Sequence, residues 1–114
     1  MIHIGCDIED ILRFKNKDEK FLNRIYTQNE LDYCLKSKNP APHLCARFCA
    51  KEATVKALSN LYPKTVPYNN IEILKKENGS VYINILIDEL KKYHYSLSIS
   101  HEKEKSLAFV IIEE

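Results

Sequence analysis

The chain has 114 residues, a length that sets the expectation at one domain spanning residues 1–114. It is 45% hydrophobic and 29% charged with a formal net charge of only +1, so neither a disordered chain nor a globally basic nucleic-acid binder fits. Any charge-driven partner must be met by a local patch.

No apolar run approaches the roughly 20 residues that a membrane span needs. The opening Met1-Ile2-His3-Ile4-Gly5 lacks the basic region and apolar stretch of a secretory signal. Cys6, Cys34, Cys45 and Cys49 form no C-x-x-C pair, and only four histidines are present, so a zinc site is a poor reading. The expectation is a cytoplasmic protein with reduced thiols and with neither nucleic acid nor membrane as partner.

Ile2, Ile4, Cys6 and Ile8 alternate with His3, Gly5, Asp7 and Glu9. That is a period-two strand with one buried face, and it puts Asp7 and Glu9 on the side opposite the isoleucines. Residues 10–35 read as short helical pieces. Within them Thr27-Gln28-Asn29-Glu30 fits a capping box, with Thr27 as N-cap. Pro40 and Pro42 break the pattern over 36–42. From His43 to about Ser59 runs the longest helical pattern. Leu44, Phe48, Val55 and Leu58 follow its spacing, and Ala46, Ala50, Ala53 and Ala57 fill another side. Apolar or small residues on most sides predict a central, largely buried helix. Residues 60–69, with Pro63 and Pro67, read as a loop. Ile71–Leu74 and Val81–Leu86 read as strands joined at Asn78-Gly79, a hairpin signal. Asp88–Tyr93 reads as a short helix. Tyr95, Leu97 and Ile99 alternate with serines, and Leu107–Ile112 closes a second hairpin. The fold class is therefore α+β, an antiparallel sheet packed on one long helix.

Glu52 and Lys56 stand four apart on the central helix. On spacing alone they read as an intrahelical ion pair worth roughly 0.2–0.5 kcal/mol. Their context argues for more, because Arg47, Lys51, Glu52 and Lys56 share a helix that is otherwise buried, and charges there are usually paired or used. Asp7 is by default solvent-facing. If its face meets the central helix, Asp7 and Glu52 make a two-carboxylate site suited to Mg²⁺, which binds through one or two carboxylates plus substrate phosphates. Gly5 would let another backbone or a ligand come close. His101 ends the strand Ser98-Ile99-Ser100-His101 and is either an ordinary surface residue or a phosphate contact. Arg13, Lys15, Lys17, Lys20 and Arg24 make a basic stretch, either a solvated helix or a docking patch for an acidic partner.

These segments, in this order, resemble the holo-[acyl-carrier-protein] synthase family of small bacterial 4′-phosphopantetheinyl transferases. Ile4-Gly5-Cys6-Asp7-Ile8 is similar to its opening I-G-x-D-I strand. Phe21-Leu22-Asn23-Arg24-Ile25-Tyr26-Thr27-Gln28-Asn29-Glu30 is similar to its F-x-x-R-x-[LF]-T-x-x-E segment. Arg47-Phe48-Cys49-Ala50-Lys51-Glu52-Ala53-Thr54-Val55-Lys56-Ala57 is similar to its R-F-A-A-K-E-A-x-x-K-A helix, and Ser98-Ile99-Ser100-His101 to its S-[IL]-[ST]-H. The resemblance covers essentially the whole chain.

It implies the 4′-phosphopantetheinyl transferase fold and transfer of the phosphopantetheine arm from coenzyme A to a serine of apo acyl carrier protein, releasing adenosine 3′,5′-bisphosphate in support of fatty acid biosynthesis. By the same likeness Asp7, Glu52 and Lys56 are catalytic, Asp7 and Glu52 hold Mg²⁺, and Arg47, Phe48, Lys56 and His101 contact coenzyme A. The serine proton goes to Glu52 or to a water on the metal. Arg13, Lys17, Lys20 and Arg24 fall in the carrier-docking region, and homotrimers with sites at subunit interfaces are expected. The chain departs from the family at Ser59-Asn60-Leu61, where a glycine-containing turn is usual, and at Ser80-Val81, where lysine and proline often follow the hairpin glycine. Two other classes remain for comparison. One is a non-catalytic carrier-binding scaffold, which would suit a chain lacking Asp7, Glu52 or Lys56. The other is a small nucleic-acid-binding domain, disfavoured by near-neutral charge.

Overall fold

The computed structural model describes residues 1–114. The elements run β1 (Ile2–Asp10), a 3₁₀ turn (Ile11–Phe14), α1 (Glu19–Ile25), α2 (Gln28–Cys34), α3 (Ala41–Leu58), a 3₁₀ turn (Tyr68–Asn70), β2 (Ile71–Lys75), β3 (Val81–Ile85), a 3₁₀ turn (Asp88–Leu90), β4 (His94–His101) and β5 (Lys105–Glu113). The expected α+β order stands, with the strands divided between a three-stranded antiparallel sheet, β1-β5-β4, and the separate hairpin β2-β3.

The short helices start where their caps allow. The Asp18 carboxylate accepts from the Phe21 amide at 2.9 Å to open α1. The Thr27 capping box forms in full, with Oγ1 accepting from the Glu30 amide and Glu30 Oε1 accepting from the Thr27 amide. α3 begins two residues before the expected His43. Pro42 lies in its first turn, where a missing N–H costs no helical hydrogen bond. At the β2-β3 hairpin, Gly79 takes φ +91°, as the Asn78-Gly79 signal requires.

α3 crosses the three-stranded sheet and is buried along most of its length. It comes very near β1 at Gly5, where a Cβ would stand 1.9 Å from the Ala53 carbonyl oxygen. Only glycine opposite the small residues of α3 permits that distance. The consequence for β1 corrects the simplest reading of its alternation. His3, Gly5, Asp7 and Glu9 face the helix, while Ile2, Ile4 and Ile8 point outward, Ile4 and Ile8 at 61% and 58% exposure. β5 is sided to match. Ser106, Ala108, Val110 and Ile112 are buried under α3, and Leu107 and Phe109 stand on the outer face beside Ile8 and Cys6. The outer face of β1 and β5 is thus apolar and uncovered in one chain, while β4 presents Ser98 and Ser100 beside it.

Two cores flank this crossing. One joins Ala50, Ala53, Ala57 and Leu58 of α3 to Ile71, Ile73, Val110 and Ile112. The other packs Phe14, Leu22, Ile25 and Leu31 against Leu44 and Phe48 at the helix start. All four cysteines are free thiols. Cys49 Sγ donates to the Ser106 carbonyl at 3.2 Å, so it serves the sheet–helix contact as a small apolar residue with a weak donor. No helix is long and apolar enough to cross a membrane.

Candidate active site

Because the polar face of β1 is the one turned to α3, Asp7 meets the helix. Lys56 Nζ donates to Asp7 Oδ1 at 3.1 Å and to the Cys6 carbonyl at 3.0 Å. The Lys56 side chain is 52% exposed and that of Asp7 only 10%. The hydrogen bond to Asp7 holds the Lys56 pKa above its usual value, so its ammonium is retained at neutral pH. Asp7 Oδ2 is buried and has no hydrogen-bond partner. A half-satisfied buried carboxylate is costly unless something else supplies the missing positive charge.

Glu52 lies one turn before Lys56, yet the two form no ion pair. Lys56 goes to β1, and Glu52 accepts instead from the hydroxyl of Tyr68. Tyr68 sits in the 3₁₀ turn after the proline-bearing loop. Its ring packs on Phe48 with centroids 5.3 Å apart. The hydrogen bond to Glu52, helped by burial, pushes its pKa up to about 12, so the hydroxyl stays a donor.

A third carboxylate shares the β1 face. Glu9 is pushed up to about 7, first by burial and then by Asp7 beside it, against the opposing pull of Arg13. Arg13 Nη1 donates to Glu9 Oε1 at 2.5 Å, and its guanidinium lies 5.4 Å over the Phe48 ring. Phe48 is therefore enclosed by Phe14, Tyr68 and Arg13, at 6% exposure.

Asp7, Glu52 and Lys56 are thus brought to one place, and Arg13 and Phe48 border it. Arg47 is not. Five residues before Glu52 it points to another side of α3, where its guanidinium stacks 4.5 Å over Tyr33 and its Nε is buried without a partner. A depression of about 330 Å³ opens there between Arg47, Tyr33, Lys75 and Tyr82. His43 adjoins it, its pKa lowered by burial and then by Arg47, Lys75 and His101. His101 is exposed at the end of β4, and the partners of Asp7, Glu52 and Lys56 lie elsewhere. Lys17, Lys20 and Arg24 line a shallow depression with Asp18 and Phe21, and Lys17 Nζ lies 5.0 Å over the Phe21 ring.

Lys51, next to Glu52 in sequence, belongs elsewhere. It is wholly buried and donates to Glu30 Oε1 at 2.7 Å, to the Tyr68 carbonyl at 2.9 Å and to the Ile71 carbonyl at 2.5 Å. Burial lowers its pKa and Glu30 opposes that shift.

The same fold recurs in known proteins. A family profile described as the 4′-phosphopantetheinyl transferase superfamily matches residues 3–110. The holo-[acyl-carrier-protein] synthase of Protochlamydia amoebophila is 41% identical over 115 residues, covering 95% of this chain and 94% of that one. The chain belongs to this family. Among solved holo-[acyl-carrier-protein] synthases, that of Neisseria meningitidis superposes with a TM-score of 0.85 at 32% identity, each chain covered in full. That of Bacillus anthracis, in complex with CoA (3′,5′-ADP), superposes with a TM-score of 0.83 at 31% identity, covering 96% of this chain and 94% of that one.

Tyr68 and Glu9 join the site without being among the residues the sequence motifs single out for it. Glu9 had a signal in its shared strand parity with Asp7 and in Arg13 four residues on. Tyr68 had none, because it comes from an aperiodic segment.

Proposed function

We propose that residues 1–114 form one catalytic unit that transfers the 4′-phosphopantetheine group of coenzyme A to a serine of apo acyl carrier protein, with Mg²⁺, releasing adenosine 3′,5′-bisphosphate in support of fatty acid biosynthesis. The observation that carries the reading is the Lys56–Asp7 contact beside Glu52, with Asp7 Oδ2 buried and unpartnered. A hard divalent cation with oxygen preference fits that donor set: two carboxylates, one with a buried oxygen left over. Asp7 and Glu52 would hold it. When bound, Mg²⁺ would offset negative charge on the pyrophosphate and on the departing bisphosphate.

The chain's own residues do the remainder. The serine hydroxyl gives its proton to a base, Glu52 or a water in the site, as its oxygen bonds to the phosphorus carrying the pantetheine arm, and the bond from that phosphorus to the adenosine bisphosphate oxygen breaks. Lys56, kept protonated by Asp7 and half in solvent, can pass from Asp7 to a phosphate oxygen and neutralise the leaving group. Arg47 and His101 contact the phosphates of coenzyme A. Support for Arg47 comes from its unpartnered Nε and from Lys75 beside it at an open depression.

Within one chain Arg47 and His101 stand apart from Asp7 and Lys56. The reading therefore includes a homotrimer whose subunits complete each other's sites. The apolar outer face of β1 and β5, with Ile4, Ile8, Leu107 and Phe109 exposed, supports such an assembly, because single chains rarely leave a contiguous apolar patch in water. Arg13, Lys17, Lys20 and Arg24 form the docking patch for the acidic carrier, where charge complementarity raises the encounter rate. A reducing cytoplasm suits the four free thiols.

The test is mass spectrometry of apo acyl carrier protein incubated with this protein, coenzyme A and Mg²⁺. The carrier is expected to gain the phosphopantetheine mass only when all three are present. A folded enzyme that leaves a cognate carrier unmodified would overturn the reading.

A further inference from the structure

Glu52 and Lys56 occupy positions four apart on α3, with the acid on the N-terminal side, the arrangement that ordinarily closes an intrahelical ion pair. They do not pair. The group that holds Glu52 away is Tyr68, and Tyr68 is fixed from three directions. Its carbonyl accepts from the buried Lys51 ammonium at 2.9 Å. Its ring lies against Phe48, 5.3 Å between centroids at 55°. Its hydroxyl donates to Glu52 Oε1. Lys51 is itself locked by Glu30 and the Ile71 carbonyl, so Tyr68 is tied to the core and does not follow Glu52 passively.

We propose that Tyr68 is a positioning residue for Glu52: its hydroxyl keeps the carboxylate off Lys56, so that Glu52 remains available to a divalent cation and Lys56 to phosphate. The inference rests on the transferase reading above. Without the hydroxyl, Glu52 has one cation within helical reach, the Lys56 ammonium, and an ion pair there would consume both functional groups at once.

The experiment measures Mn²⁺ binding by the electron paramagnetic resonance signal of the free ion, with coenzyme A present, for the wild type, Tyr68→Phe, Lys56→Met and the double variant. Phenylalanine keeps the ring against Phe48, so the fold survives, and circular dichroism checks this. Tyr68→Phe is expected to weaken Mn²⁺ binding about tenfold, the size of one hydrogen bond to a charged group. In the Lys56→Met background the same substitution should cost less than about twofold, because the competing ammonium is gone. In transfer assays Tyr68→Phe should need more metal for half-maximal rate and show a raised KM for coenzyme A at low metal, with the KM returning to the wild-type value once metal is saturating and Lys56 is released. An unaltered Mn²⁺ affinity in Tyr68→Phe, or an equal loss in both backgrounds, overturns the role of Tyr68 and leaves the transferase reading standing. A wild type that binds no Mn²⁺ overturns the metal assignment and this inference together.

Discussion

Lys51 and Lys56 are five residues apart on one helix, and each donates to a carboxylate. The Lys51 ammonium is sealed from water and donates to three acceptors. Its partner Glu30 is also saturated, with Oε1 accepting from the Thr27 amide and Oε2 from the Ile73 amide. The Lys56 ammonium is half in solvent, and its partner Asp7 has an oxygen left over. Saturation inside and incompleteness at the edge separate a charge pair that builds the fold from one that can accept a ligand. The Glu30–Lys51 pair ties α2, α3 and β2 together at one point. Alongside it the Glu72 carboxylate, which burial alone would raise, is held low by hydrogen bonds from Thr27, Asn84 and Asn29.

The largest expected effect tests that contrast directly. Lys51→Met leaves the Glu30 carboxylate buried without its cation and should cost about 3–5 kcal/mol of stability. Lys56→Met removes a contact that is open to solvent only at the lysine end and should cost less, about 1–2 kcal/mol. Urea denaturation of the two variants measures both. Equal losses would erase the distinction between the pairs.

The second effect concerns activity. Asp7→Asn and Glu52→Gln keep side-chain volume and should leave the urea midpoint near that of the wild type, while each lowers the Mg²⁺-dependent transfer rate by at least about 10²–10³-fold, the usual loss for one group that stabilises developing charge. Rates of phosphopantetheine transfer to acyl carrier protein, followed by mass spectrometry, check this. Near-wild-type transfer by either variant would remove that carboxylate from the site.

The local parts of this arrangement are legible in the chain itself. The Thr27 capping box, the Asn78-Gly79 turn and the small-residue side of α3 each depend on residues within a few positions of one another. The sidedness of β1 is different. Alternation separates the isoleucines from Asp7 and Glu9 but does not say which set meets α3. The contact at Gly5 decides it, because only that face lets the helix backbone come close. Adjacent charges on α3 were equally ambiguous. Lys51 and Glu52 are neighbours in sequence and face different surroundings, and their partners, Glu30 and Tyr68, lie 21 and 16 residues away. Tyr68 could not be found from any period, since a loop and a single 3₁₀ turn carry it.

The smallest effect lies with Glu9, which sits between the two regimes: it has a cationic partner in Arg13, yet burial and Asp7 hold its pKa near 7 against an ordinary 4.5. A raised carboxyl pKa means that the folded state keeps a proton which the unfolded chain has already lost. Over the interval from about 4.5 to about 7 the folded state therefore binds more protons, and stability must fall as pH rises through that interval and level off above it. Glu9→Gln cannot ionise, so its stability should lack this fall. Urea midpoints taken without divalent metal at either end of the interval measure the difference. A wild-type slope no steeper than that of Glu9→Gln would mean that Arg13, and not Asp7, governs the charge of Glu9, which would move it to the saturated side of the comparison.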